Sequence, residues 1–166
     1  AKVLGLAAST LDKDKIAKKI HSTGWLLSAT NTESKRHGVT GRLFSKSGAE
    51  VLIAEGKFGD VCLRSKLIIG LAGIANEQAV ALGRPVVCFT GKGPQTTVRR
   101  WHEIHNITGD SMEIIEGNAE QKAEKISQIL HDYEKIQRMG RIGKESKPQW
   151  GAVRKIAETA IATLSA

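Results

Sequence analysis

The side chains and turns with the most chemistry to offer lie within residues 70–95. GLAGIAN at 70–76 follows the apolar run KLIIG, and TGKGPQ at 90–95 follows RPVVCF. In both, glycines stand where a strand should give way to a helix. There the backbone N–H groups lack intrahelical partners and the helix dipole favours an anion. A phosphate is the natural occupant of such a turn. Glu77 would repel a phosphate at close range, so its functional reading differs: a carboxylate accepts two hydrogen bonds from the vicinal hydroxyls of a ribose. Phosphate on the amides and ribose on the acid together describe a nucleotide. The plainer reading of Glu77 is an acid that complements the helix dipole. For Lys92 the choice is between a point charge for a diphosphate and a solvated lysine in a tight turn. No P-loop is present, since GxxxxGK followed by Ser or Thr is absent, and the GxxG spacing at 70–73 is weak by itself.

The surrounding elements must bring these loops together. From residue 66 the pattern reads strand KLIIG, helix ANEQAVAL, strand PVVCFT, helix TVRRWHEIHNI, strand MEIIE and helix AEQKAEKISQILHDYEKIQ. Such alternation implies βαβ units and a parallel sheet. Right-handed crossovers put every strand-to-helix loop on one edge, so 70–76, 90–95 and 116–119 should converge there. In the long helix, Ala119, Ala123, Ile126, Leu130 and Tyr133 share one face, and Asn118 with Gln121 forms a capping box. The glycines of KIQRMGRIGK suggest a turn after it, carrying Lys135, Arg138, Arg141 and Lys144. A last helix starts near KPQW, with Pro148 in its first turn and Val153, Ile156, Ala157, Ala160, Ile161 and Leu164 as its apolar face.

The first part of the chain is less regular. VLGLAA at 3–8 reads as a strand, LDKDKIAKKIHSTG as a short helix capped by Ser9 or Thr10 with Leu11, Ile16 and Ile20 inward, and WLLSAT as a second strand. A polar loop follows. GRLFS and EVLIAE can pair across KSGA as a hairpin, or EVLIAE can be a parallel strand leading to the helix FGDVCLRS.

The chain has 166 residues, 40% apolar, 25% charged and 4% aromatic. That is a globular composition, long enough for one core, and the expectation is a single Rossmann-like domain over 1–166: α/β, three layers, a mainly parallel sheet with helices on both faces. No apolar run approaches a membrane span. The net charge of +8 favours an anionic partner without choosing among nucleotide, nucleic acid and acidic membrane. Cys62 and Cys88 belong to no CxxC pair and read as buried free thiols in a reducing cytoplasm. The short apolar start reads as a strand rather than a signal segment, and the lack of an initiating Met suggests a chain processed or cut from something longer.

GLAGIANEQAVALGRPVVCFTGKGPQ, with RMGRIGKESKPQWGAVRKIAE further on, resembles the C-terminal half of lipid-A-disaccharide synthase and of a related group of bacterial lipid-A-disaccharide synthase-like proteins. The resemblance spans most of residues 58–158. It implies the nucleotide-sugar donor half of a two-Rossmann-domain (GT-B type) glycosyltransferase, a hexosyltransferase using UDP-GlcNAc or a similar UDP-sugar, without metal or other cofactor. Gly70, Gly73, Asn76, Glu77 and Gln78 would then face the UDP, and Gly91, Lys92, Gly93, Pro94 and Gln95 the sugar diphosphate. Three departures stand out: Ile74 replaces a Thr or Ser, AASTLDKDK replaces a glycine-rich turn bearing Arg, and the N-terminal half with the acceptor site and catalytic base is absent. The isolated chain should therefore not turn over. Implied partners are the nucleotide sugar, the other half, a lipid-linked acceptor or anionic membrane surface beside a cytoplasmic location, and a second copy of the chain through the last helix. The alternative from another class is a stand-alone nucleotide-binding or regulatory module.

Other basic groups have plainer readings. In RRWHEIH, Arg99, Arg100, His102 and His105 could contact nucleic acid, or the two histidines a metal, but an amphipathic helix with Trp101 and Ile104 inward accounts for them better. Nucleic acid is the less favoured partner. Lys35, Arg36, His37 and Arg42 read as a solvated loop or a membrane-surface contact. Arg141, Lys144 and their neighbours suit either a solvated turn or a contact to phosphate or lipid headgroup.

Overall fold

The computed structural model describes residues 3–6, 17–20, 22–28, 38–71, 73–91, 96–146 and 152–164. The expectations for Ser9, Thr10, Leu11, Ile16, Lys35–His37, Lys92–Gln95 and Pro148 lie outside the described residues. The protein is α/β, and its described strands form two small sheets rather than one. The chain divides into two compact units, Ala1–Ser65 and Lys66–Ala166.

In the first unit, β1 (Val3–Leu6), β2 (Trp25–Ser28), β3 (Val39–Ser45) and β4 (Glu50–Ala54) make a sheet of order β1-β4-β3-β2. β3 and β4 are antiparallel, and β4 is also parallel to β1 and leads into α1 (Phe58–Arg64). Both readings of EVLIAE therefore hold at once. The turn between β3 and β4 closes through Ser45, whose N–H donates to the Ala49 carbonyl at 2.9 Å and whose Oγ accepts from the Ala49 N–H at 2.9 Å. Ile53, Ala54, Val61 and Cys62 are buried. Residues 17–20 are helical, with Ile20 half-buried. Arg42 belongs to β3 rather than to a solvated loop: its guanidinium lies 2.8 Å from the Glu50 carboxylate on the neighbouring strand.

The second unit follows the expected alternation: β5 (Ile68–Gly70), α2 (Ile74–Ala81), β6 (Val86–Phe89), α3 (Val98–Thr108), a 3₁₀ turn (Gly109–Ser111), β7 (Met112–Ile115), α4 (Ala119–His131), α5 (Tyr133–Ser146) and α6 (Ala152–Leu164). The sheet has order β5-β6-β7 and is wholly parallel, with Ile68 opposite Val86 and Val86 opposite Met112. Val86, Val87 and Cys88 on the middle strand are fully buried, which is why that strand is apolar at consecutive positions instead of alternating. Val87, Ile115, Ile129 and Ile136 form one buried cluster, with Leu67, Phe89 and Ile126 packed against it. Each such side chain contributes about 1.5–3 kcal/mol of hydrophobic stabilisation.

Local chemistry sets the helix starts. The Thr97 hydroxyl accepts from the Arg100 N–H at 3.2 Å and opens α3, which turns Trp101 and Ile104 inward as expected. The expected capping box opens α4: Asn118 Oδ1 accepts from the Gln121 N–H and Gln121 Oε1 accepts from the Asn118 N–H, each at 2.9 Å.

Two expectations for the region after Asn118 are corrected. The single helix over 119–137 is two helices. Asp132 leaves helical geometry (φ −88°, ψ 88°), and its carboxylate accepts from the Lys135 N–H at 2.9 Å, which caps a new start. The inward line is accordingly Ile126, Ile129 and Ile136, while Leu130 and Tyr133 are exposed. The glycine-rich turn expected at KIQRMGRIGK is the middle of α5. Gly140 and Gly143 serve close approach there, not chain reversal. A Cβ on Gly140 would sit 2.7 Å from the Gly83 carbonyl oxygen, and one on Gly143 would sit 2.7 Å from the Val80 carbonyl oxygen. Backbone meets backbone, and α5 packs on α2, α3, α4 and the 3₁₀ turn.

Candidate functional site at the carboxyl edge of the parallel sheet

Because β5, β6 and β7 are parallel, the segments that follow them leave from the same edge. At the end of β5, Gly70 is buried and lies directly under the Asn76 carboxamide, where a Cβ would overlap it. Asn76 is itself 2% exposed, and its Nδ2 lies 3.4 Å from Cys88 Sγ on β6. This pair ties the first turn of α2 to the sheet, so the Asn76 side chain points into the protein while its N–H donates to the Gly73 carbonyl at 3.1 Å.

Gly73 is the residue that opens α2. Its backbone (φ 73°, ψ −165°) belongs to a region that residues with a Cβ rarely occupy, and no side chain caps the helix it begins. α3 and α4, the other helices starting at this edge, are both capped by side chains. Glu77 stands in the first turn of α2 and is half-buried, and Gln78 beside it is exposed. Leu71 and Ile74 flank the opening at 64% and 72% exposure, an apolar rim that costs hydration unless something covers it.

The second loop is pinned at its ends. The Gly91 N–H donates to the Thr96 carbonyl at 3.0 Å, which draws residues 91 and 96 together around the segment containing Lys92, Gly93, Pro94 and Gln95. The third loop is closed by its own capping box, so Asn118 and Gln121 spend their polar groups on each other. Sequence reasoning missed one cation at this edge: Lys122 Nζ lies 5.3 Å from the centroid of the Phe89 ring at the end of β6. Nothing in the sequence separates Lys122 from the other lysines of α4, because its partner is 33 positions away in the chain. The Phe89 carbonyl in turn accepts from Trp101 Nε1 at 3.1 Å, fixing α3 to the same strand end.

The remaining candidates are distributed elsewhere. Arg99 and Arg100 both pair with Glu103, at 3.2 and 3.3 Å, and hydrogen bonds from Arg100 first and Arg99 second hold its carboxyl below the usual carboxylate range. That internal pairing diminishes the basic face of α3. His102 is exposed, and His105 Nε2 lies 3.9 Å from Asp110. Among the described residues no group of three His, Cys, Asp or Glu side chains could hold a metal ion, and no helix is long and apolar enough to cross a membrane.

Cys62 and Cys88 are buried thiols in no disulfide, as expected from the sequence. Burial disfavours the thiolate and pushes the Cys88 thiol from 9.0 up to about 12. The sign predicts slow chemistry: in a Cys62→Ser variant, iodoacetamide should leave Cys88 unmodified in the folded protein near pH 9 and alkylate it once urea is added. Equal rates in both states, read by mass spectrometry, would show that Cys88 is solvent-accessible.

Comparison with protein-family models, with curated proteins and with solved structures finds no match to this chain.

Proposed function

We propose that the chain is the donor-binding part of a glycosyltransferase resembling lipid-A-disaccharide synthase, holding a UDP-sugar at the carboxyl edge of its parallel sheet. The observation that carries this reading is the start of α2: a glycine in left-handed backbone, no side-chain cap, and an acid one turn on, all at the edge where open α/β sheets bind ligands. In this reading the diphosphate takes the uncapped amides and Glu77 takes the ribose hydroxyls. Leu71 and Ile74 cover one face of the base. The leaving diphosphate is stabilised by those amides, the helix dipole and Lys92, which lowers the barrier to displacement at the anomeric carbon. Gly70 and Asn76 act beneath the ligand, setting the loop's shape. The three-layer Rossmann arrangement belongs to this reading, as do the cytoplasmic location and an acceptor carried on a lipid.

The general base and the acceptor site would come from a second Rossmann half. α6 supports that part of the reading. Its apolar residues Val153, Ile156, Ile161 and Leu164 are between 65% and 88% exposed, a stripe suited to packing on another surface.

Calorimetric titration with UDP, UDP-GlcNAc and GDP tests the proposal. The expected result is saturable 1:1 binding of both uridine nucleotides in the absence of divalent metal, with GDP weaker. Failure of either uridine nucleotide to bind, or affinity that ignores the base, would refute it. Uptake of DNA or RNA with steep salt dependence and no response to UDP would favour a basic nucleic-acid binder instead.

A further inference from the structure

A cavity of the second unit lies away from the edge proposed to bind the nucleotide. It has a volume of about 620 Å³ and is lined by residues that precede β5 and β6, by the last turn of α2, and by α4 and α5. Lys66 and Pro85 stand at the amino ends of their strands, so the cavity opens at the opposite edge of the sheet from Gly70 and Gly91. Four bases line it, Lys66, Arg84, Arg141 and Lys144, against one acid, Glu145. Concentrating like charge in a concavity with low-dielectric walls raises its attraction for a counter-ion.

Apart from Gln137 the rest of the lining is apolar, and much of it is left open. Leu130 is 41% exposed and Tyr133 73% exposed, beside Leu82, Pro85 and Ile136. Leu130 and Tyr133 are residues expected to point inward along the long helix, and instead both line this cavity, one on each side of the break at Asp132. One base already has a structural task. α2 has no basic residue in its last turn, and the methylenes of Lys144 run across Gly83 there, bringing an ammonium to the negative end of the helix dipole. Lys66 and Arg141 are exposed, and among the described residues their side chains are in no ion pair. An anion with an apolar body matches both parts of the lining: its head meets Lys66 and Arg141, and its chain covers Leu130 and Tyr133.

We infer that this cavity binds an amphiphilic phosphate, a phosphomonoester or phosphodiester head on an alkyl or isoprenoid-like chain. The inference is independent of the nucleotide reading, whose residues lie at the other edge. Calorimetry with inorganic phosphate and with decyl phosphate below its micellar threshold, together with sedimentation on phosphatidylglycerol vesicles, tests it. Decyl phosphate should bind at least about tenfold more tightly than inorganic phosphate, since burying two methylenes suffices for that. Lys66→Gln with Arg141→Gln should abolish most of the binding, and Leu130→Asn should weaken decyl phosphate while leaving inorganic phosphate unchanged. These three side chains are exposed, and an unchanged melting temperature will show that the variants fold. Vesicle binding lost in the double variant identifies a membrane lipid as the source of the head, and decyl phosphate binding without vesicle binding identifies a soluble amphiphile. UDP affinity should be unaffected by either variant. Decyl phosphate no tighter than inorganic phosphate, or binding indifferent to Lys66→Gln with Arg141→Gln, overturns the inference.

Discussion

Gly143→Ala is expected to lower the stability of the second unit by about 3 kcal/mol, the upper range of overpacking costs, despite the roughly 1 kcal/mol that alanine gains over glycine in a helix. The added methyl would sit 2.7 Å from the Val80 carbonyl oxygen and 3.1 Å from Val80 Cγ1, and both atoms belong to a neighbouring helix whose position is held by the sheet. The whole α2–α5 contact must open to admit it. Gly59→Ala in α1 is the internal control, because a Cβ there meets nothing within 4 Å, and it should be neutral or stabilising by up to about 1 kcal/mol. Urea unfolding midpoints for the two variants decide the matter. A Gly143→Ala protein as stable as the parent would mean that α5 does not touch α2 backbone to backbone.

Glu77→Gln should weaken UDP binding by about 1–3 kcal/mol, roughly ten- to hundredfold, if the carboxylate holds the ribose hydroxyls. The amide keeps one acceptor and the shape of the side chain, so the change removes charge from the hydrogen bonds and little else. An acid that only complements the helix dipole predicts the reverse pattern, a few tenths of a kcal/mol in stability and no change in nucleotide affinity. A 2′,3′-dideoxy nucleotide separates the two further, because it lacks the groups the acid would hold. Its affinity should barely respond to the substitution. Equal losses for UDP and the dideoxy compound would remove ribose recognition as the role of Glu77.

Much of the second unit was legible because its information is local. The glycine and small-residue breaks after KLIIG and PVVCF, the Asn118–Gln121 capping box and the inward spacing of Trp101 and Ile104 each depend on residues within one turn or one strand of each other. Parallel pairing then follows from the alternation, and with it the gathering of Gly70, Gly73, Glu77 and Gly91 at one edge. In the same way EVLIAE carried two patterns, and both are used, one on each side of β4.

What the tertiary structure alone decided concerns partners distant in the chain. KIQRMGRIGK reads as a turn because glycines are commonest where the chain reverses, yet Gly140 and Gly143 exist for the backbones of Val80 and Gly83, sixty residues away along the chain. Shorter separations hide the Asn76 contact with Cys88, twelve positions on, and the Lys122 contact with Phe89, which tie the starts of α2 and α4 to the end of β6. The break at Asp132 is local by contrast, its carboxylate accepting from the Lys135 N–H three residues on, and it was hidden only because the periodicity of Leu130 and Tyr133 runs across it. Local patterns specified which segments become helix or strand, since hydrogen bonding within a turn and the period of the apolar positions suffice for that. Which face α4 and α5 bury was settled only by packing, because burial depends on what the rest of the chain brings against it.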